Sequence, residues 1–232
     1  MRIAVITPYF RESLSILHQC HRSVQAQSVP CTHVMVADGF PSANIESWEV
    51  DHVILPRAHD DAGSTPRAIG SFHAVGLGYD AVAFLDADNW YRPDHLETLL
   101  RLHARTGALF LSASRLLCRL DGSVMGPCAM CDGTTFIDTS CMLIMRPAFG
   151  VLANWCLIPP YAHVVSDRAF LYLARAAGTT FAHSPEPTLH YRCKRSDAYL
   201  RMGESPPPEA QPAPDYATGF RRWIEDGHLP LI

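Results

Sequence analysis

The stretch AVAFLDADNWYRP, from Ala81 to Pro93, opens as a short apolar run and then breaks into two aspartates, Asp86 and Asp88. A brief apolar run that ends at a turn-forming acid is the pattern of a strand buried on both faces, and such strands belong to parallel sheets covered by helices. Three earlier short, β-branched-rich runs end in a turn-forming Pro or Asp in the same way: RIAVITP (Arg2 to Pro8), HVMVAD (His33 to Asp38) and HVILP (His52 to Pro56). Between them, Arg11 to Gln27 carries Leu14, Leu17 and Val24 at helical spacing. Thr65 to Leu77 opens with Thr65-Pro66, which predicts a cap followed by proline at the first helical position. Strands alternating with helices build βαβ units and a mostly parallel sheet, an α/β fold.

Past this core, Pro93 to Arg105 predicts a third helix with Leu96, Leu99, Leu100 and Leu102 inward, and GALFLSASRLL (Gly107 to Leu117) a further strand. The pattern then loosens. GTTFIDTSCMLIMRP (Gly133 to Pro147) predicts two short strands, and Val165 to Ala177 a helix closed by Gly178. SPPPEAQPAP (Ser205 to Pro214) has five prolines and predicts an extended linker. A short amphipathic helix follows around Tyr216 to Glu225, with Phe220, Trp223 and Ile224 on one side, to pack in cis or across a homodimer.

The 232 residues are 48% hydrophobic, with 19 Lys+Arg against 23 Asp+Glu, a net charge of −4. That describes one sizeable domain able to hold its core without disulfides, and excludes collagen-like and disordered classes. The absence of Lys/Arg blocks argues against nucleic acid as a partner. The N-terminal apolar run is too short for a signal segment, and no stretch approaches the roughly 18 apolar residues of a spanning helix. The expectation is a cytoplasmic protein, free or associated peripherally with the inner face of a membrane, whose eight cysteines stay reduced. Cys128 and Cys131 make one metal knuckle where a structural zinc site wants two, which favours ordinary core thiols; His18, His21 and His33 have no metal-motif spacing.

Asp86 and Asp88 stand just past the carboxyl end of a buried strand, where open α/β sheets bind ligands. Two residues apart in an extended chain, their carboxylates point to one side and call for a cation, and a hard divalent ion bridging to substrate phosphates satisfies both. A solvated turn is the plain alternative. The longer stretch AIGSFHAVGLGYDAVAFLDADNWYRPDHLETLL resembles the family 2 glycosyltransferases with the nucleotide-sugar-binding A-type fold, which have a helix carrying an arginine, a buried strand, an Asp-x-Asp motif and a Pro-opened helix. AVITPYFRESLSILHQCHRSVQAQ resembles that family's first strand, nucleotide loop and helix, and VMVADG its second strand end. The resemblance runs from about Arg2 to Arg192.

It implies a single-domain α/β fold with a mostly parallel, Rossmann-like central sheet flanked by helices and a mixed-strand acceptor half. Residues 1–195 would be the catalytic domain, with 1–106 the nucleotide-sugar half and 107–195 the acceptor half, and 196–232 the linker and C-terminal helix. Thr7, Pro8 and Tyr9 would line the base and ribose, and Asp38 would accept a hydrogen bond from a uracil-type ring. Arg67 would face the diphosphate, followed by Ala68 where the family usually has Asn. Asp86 and Ala87 would meet the nucleotide sugar, Asp86 reaching the ribose or the metal shell, and Asp88 would ligate Mn²⁺ or Mg²⁺. Asn89 stands where many relatives have a third acid.

Inverting transfer needs a general base at the acceptor hydroxyl. YAHVVSDRAFLYLARAAG resembles the family's late helix, with Asp167 as the base and Ser166 in place of an acid; read from the residues alone, Ser166-Asp167 is a helix cap. PEPTLHYRCKRSD resembles the closing strand and its Tyr-Arg signature, in which many members carry a histidine two positions later; here that position is Lys194. His190 is the nearest imidazole, able to ligate the metal or bind diphosphate, and Arg192, Lys194 and Arg195 form a cationic strap for the diphosphate. Thr139, Ser140, Cys141, Met142, Trp155 and Tyr161 are candidate sugar or lipid contacts, and Trp90 a contact or core.

The resemblance therefore implies a metal-dependent, inverting glycosyltransferase of polysaccharide biosynthesis, taking a nucleoside-diphosphate sugar, UDP-linked, to a saccharide or lipid-linked acceptor. A non-catalytic sugar-nucleotide-binding or scaffold protein of the same fold stays open. A nucleotidyltransferase is weaker, because Pro8-Tyr9-Phe10-Arg11 is no glycine-rich phosphate loop.

Overall fold

A computed structural model of the chain describes residues 1–134 and 136–231. Every side chain from Ile3 to Ile6 and from Ala81 to Phe84 is buried, which places these two strands side by side at the centre of the sheet. In chain order the strands are β1 (Ile3–Tyr9), β2 (Thr32–Asp38), β3 (Asp51–Leu55), β4 (Ala81–Phe84), β5 (Trp90–Tyr91), β6 (Phe110–Cys118), β7 (Val124–Pro127), β8 (Met142–Met145) and β9 (Phe181–Arg192). The helices are α1 (Leu14–Gln25), α2 (Ser64–Gly76), α3 (His95–Thr106), α4 (Ser166–Ala176), α5 (Ser196–Arg201) and α6 (Tyr216–Glu225).

The sheet order is β3-β2-β1-β4-β8-β6-β9-β5, with β7 pairing off β6. β3, β2, β1 and β4 are parallel, whereas β8 runs antiparallel to both β4 and β6. After β3 the chain crosses to the far side of β1, so the order reverses there, and a crevice opens at the carboxyl ends of β1 and β4. One face of the sheet, with Ile6, Val36, Phe84 and Phe110, packs on Trp155, Phe170 and Trp223. The other, with Val5, Ala83, Leu85 and Leu111, packs on Leu96, Leu99 and Leu102 of α3.

Helix α2 sits unusually close to the sheet. A Cβ at Gly70 would come within 2.6 Å of Ile6 Cγ2 and 2.9 Å of Val36 Cγ2, so only glycine allows this approach. Its start differs from the Thr65-Pro66 reading: the cap is Gly63, at φ +84, and the Asp61 carboxylate accepts the Thr65 N–H at 2.8 Å. Asp60 and Ala62 are also held at positive φ, 52 and 54, in the same loop.

The second half departs further from the sequence reading. Among the described residues, Gly133 to Pro147 holds one strand, β8, where two were expected; a short 3-10 turn, Thr139–Cys141, precedes it, and Thr135, part of the expected first strand, lies outside the described residues. Ser166 and Asp167 do not cap α4, whose cap is Val165. β5, β7, α5 and the 3-10 segment Arg146–Cys156 have no periodic signal that marked them. The linker holds no helix or strand, but it is not extended throughout: the Ala210 N–H donates to the Pro207 carbonyl at 3.0 Å in a turn, Gln211 bridges to Arg195, and α6 folds back in cis, burying Trp223 to 1% exposure. The cysteines are free thiols; Cys118, Cys131 and Cys141 are core residues.

Candidate active site

The crevice is a cleft of about 330 Å³. Pro8 and Tyr9 reach it from the end of β1, Asp38 from β2, Arg67 from α2, and Asp86, Ala87 and Asp88 from the loop after β4. Tyr9 is fixed by two hydrogen bonds of its hydroxyl, to His52 Nε2 at 2.7 Å and from the Ser42 N–H at 3.0 Å. Asp38 holds His59, Oδ1 lying 2.6 Å from Nδ1 and Oδ2 accepting the His59 N–H at 3.2 Å. Arg67 is 5% exposed, not a solvated surface cation. It donates to the Ala62 carbonyl at 2.8 Å and to Asp86 Oδ1 at 2.5 Å.

Asp86 to Asn89 is a turn, the Asn89 N–H donating to the Asp86 carbonyl at 3.0 Å, and not the extended segment the sequence suggested. Both carboxylates nevertheless open on the same cleft. Ser140 clamps this turn from the 3-10 segment Thr139–Cys141 ahead of β8. Its hydroxyl accepts the Asp86 N–H at 3.1 Å and Asn89 Nδ2 at 3.0 Å, while its own N–H donates to Asp138 at 2.9 Å. Asn89 is therefore a buried structural amide; its Oδ1 accepts the Arg192 N–H at 3.0 Å. Asp88 lies 2.7 Å from Lys194 Nζ, with side chains 19% and 41% exposed respectively. Burial pushes the Asp88 carboxyl up from its ordinary range, and Lys194 opposes that shift.

A second cavity of about 350 Å³ lies across Asp138 from the turn and is lined by Arg115, Asp138, Asp167, Tyr191, Tyr216 and Phe220, among others. Asp167 stands in the first turn of α4, accepting the Arg168 N–H at 2.7 Å. Burial, reinforced by repulsion from Asp138, raises its carboxyl to about 7. Asp138 in turn is paired with buried Arg115, whose guanidinium stacks over Tyr191 at 4.0 Å. Arg115 and Asp138 were missed by sequence reasoning; the available signal was Asp138-Thr139-Ser140, an acid that caps the turn ahead of a buried strand.

Besides Asp167, which lines the second cavity, Thr7, His190, Arg192 and Arg195 are expected site residues that do not line the cleft. Thr7 is fully buried, its hydroxyl 2.8 Å from His33 Nε2 in a core trio with His21, because alternation along β1 turns it away from Pro8. Burial lowers His33 to about 3 and lowers His21 as well. His190 pairs across strands with Trp90 and stacks on it with centroids 5.0 Å apart, so it does not join Asp86 and Asp88 as a metal ligand. Arg192 is spent on structure: its guanidinium donates to the carbonyls of Asp88 and Leu120 and to Gln19, and lies over Trp90. Arg195 donates to the Pro212 carbonyl, leaving Lys194 as the member of the expected cationic strap that meets the Asp-x-Asp turn.

The donor set fits a hard divalent cation held together with a phosphate. Six carboxylates and the Arg67 guanidinium line the cleft, with Lys194 meeting Asp88, so acids outnumber cations there and added positive charge would favour a diphosphate. Among the described residues no three His, Cys, Asp or Glu side chains group to enclose an ion alone. Mg²⁺ and similar ions are commonly held by one or two carboxylates, with water and substrate phosphates completing the shell, and Asp86 and Asp88 supply that number.

The model for glycosyl transferase family 2 matches residues 4–130, more than half of the chain. The chain belongs to this family. Succinoglycan biosynthesis protein ExoW of Rhizobium meliloti (strain 1021) is 30% identical over 102 residues, 41% of this chain and 32% of that protein. The crystal structure of an S. aureus TarS fragment in complex with UDP superposes with a TM-score of 0.63 at 15% identity, covering 87% of this chain and 64% of the fragment. The same fragment with UDP-GlcNAc gives 0.62 at 14% identity, covering 83% and 58%. These structures establish the A-type glycosyltransferase fold for this family 2 chain. The chain spans about a third of ExoW and less than two thirds of the TarS fragment. Among the described residues no helix is long and apolar enough to cross a membrane.

Proposed function

We propose that this family 2 chain transfers a sugar, with inversion, from a UDP-sugar to a saccharide or lipid-linked acceptor. The observation that carries the reading is the Asp86-Ala87-Asp88 turn opening on the switch-point cleft, clamped by Ser140 to Asp138, beyond which lies the cavity that holds Asp167. The UDP-bound TarS fragment supports a uridine donor, and the name of ExoW supports a saccharide product. Pro8, Tyr9 and Asp38 would seat the nucleoside, and Arg67 would reach the diphosphate.

In the reaction the acceptor oxygen bonds to the anomeric carbon as the bond from that carbon to the diphosphate oxygen breaks. The diphosphate leaves with the electron pair, and the hydroxyl proton passes to Asp167. Asp88, with Asp86 beside it, would hold Mn²⁺ or Mg²⁺, which supplies positive charge to the departing diphosphate. Arg67, held against Asp86 before substrate arrives, needs little reorganisation to add its charge.

The test is donor turnover with Mn²⁺ and a panel of UDP- and GDP-sugars, comparing wild type with Asp88→Ala and Asp167→Asn. Turnover of a UDP-sugar that both substitutions suppress is the expected result. Nucleotide binding with no turnover of any donor would instead make the chain a sugar-nucleotide-binding module.

A further inference from the structure

Lys194 is the cation that meets the Asp-x-Asp turn from outside the donor half. Its ammonium lies 2.7 Å from Asp88 Oδ2, while the neighbouring carboxylate, Asp86, is occupied by Arg67 at 2.5 Å. Each acid of the motif thus already has a positive partner, and the partners come from different parts of the chain, one from α2 and the other just beyond β9. A divalent ion arriving alone would have to displace a paired lysine from a mostly buried carboxylate and leave that lysine beside a doubly positive ion. A diphosphate changes the balance, because its oxygens give the ammonium a new acceptor and give the ion further ligands.

Resting on the donor-site reading above, we propose that Lys194 is a counter-ion switch. It neutralises Asp88 in the empty enzyme, keeps free divalent metal out, and swings to the donor diphosphate when nucleotide and metal enter together. Its geometry suits the movement. Lys194 is anchored through its backbone, the Lys194 carbonyl accepting the Gln211 N–H at 2.8 Å, whereas its side chain is 41% exposed and its ammonium bonds to Asp88 alone among the described contacts. Arg192, two residues earlier, is locked by contacts to Asp88, Leu120 and Gln19, which gives the moving side chain a fixed base. Lysine suits this role better than arginine, since a compact ammonium on a flexible stem exchanges partners without breaking a planar two-point contact.

The experiment is Mn²⁺ binding, followed by the electron paramagnetic resonance of free Mn²⁺, to wild type, Lys194→Met and Lys194→Arg with and without UDP. UDP binding is followed by calorimetry in Mn²⁺ and in EDTA, and circular dichroism confirms that each variant is folded. Wild type should bind Mn²⁺ at least tenfold more tightly with UDP than without it. Lys194→Met should bind Mn²⁺ alone at least tenfold more tightly than wild type does and lose most of the gain from UDP, and Lys194→Arg, which keeps the charge but holds Asp88 by a planar two-point contact, should exclude free Mn²⁺ as wild type does and show a smaller gain from UDP. Equal Mn²⁺ affinity of wild type with and without UDP, or an unchanged Mn²⁺ affinity in Lys194→Met, overturns the switch while leaving the donor site standing. UDP affinity identical in Mn²⁺ and EDTA removes the metal, and the switch with it; absence of UDP binding in both removes the donor-site reading itself.

Discussion

Asp167 has the property that a base working near neutrality requires. Burial favours its neutral form and lifts the carboxyl to about 7, so the fraction able to accept a proton grows through the neutral range. Transfer is expected to rise between pH 6 and 8 with an acid limb near 7, measured as kcat/KM against pH. Asp167→Asn should lower transfer 10²- to 10⁴-fold, the usual worth of a general base, and leave UDP affinity unchanged. Stability follows the same linkage with a definite sign. A carboxyl raised in the folded state contributes stability that is present below its unfolded value near 4 and is lost as pH rises through about 7. The Tm of Asp167→Asn relative to wild type should therefore climb from pH 4 to 7 and level off above. Ser140 is the other residue with a calculable role. Ser140→Ala strands the part-buried Asp86 N–H and the buried Asn89 amide, the latter worth about 1–3 kcal/mol when unsatisfied, and should show that loss in urea unfolding together with weaker UDP binding.

At the scale of elements, α2 matters because it carries Arg67 to Asp86 while packing against β1 and β2 through Gly70. Gly70→Ala places a methyl group 2.6 Å from Ile6 Cγ2, so the helix or the strand has to move. Overpacking of this kind costs about 1–3 kcal/mol, and because Arg67 lies one turn earlier on the same helix, UDP affinity should fall along with stability. Urea unfolding and UDP titration on one preparation check both. The ends of β1, β2 and β4 are as decisive. Strand alternation sends Pro8 toward the cleft and Thr7 into the core, a difference of one residue that separates a candidate ligand contact from a structural hydroxyl.

Across the whole molecule, the C-terminal helix helps to build the cavity that holds Asp167. Tyr216 and Phe220 of α6 line the cavity of Asp167, and Trp223 anchors the helix, fully buried, with Nε1 donating to the Leu229 carbonyl at 3.1 Å. Trp223→Ala should cost about 3–5 kcal/mol if α6 stays docked, or release α6 at a smaller cost. Either way, transfer to acceptor should fall further than UDP binding, which differential assays of transfer and nucleotide titration would separate.

The sequence by itself determined the first half of the fold. Short apolar runs ending in Pro8, Asp38 and the Asp86 turn, with helices between them, are local and periodic signals, and they suffice to build a parallel sheet whose strand ends converge. It also determined the tail, because prolines forbid helix and central strand from Ser205 to Pro214 and a compact apolar stripe follows. Only the tertiary structure decided the rest. The pairing of Lys194 with Asp88, of Arg115 with Asp138 and of His190 with Trp90 joins residues far apart in the chain, and no local period encodes which strand lies beside which. β8 reversing between β4 and β6 brings Ser140 and Asp138 to the Asp86 turn, and that long-range antiparallel insertion is what ties the switch-point cleft to the cavity of Asp167.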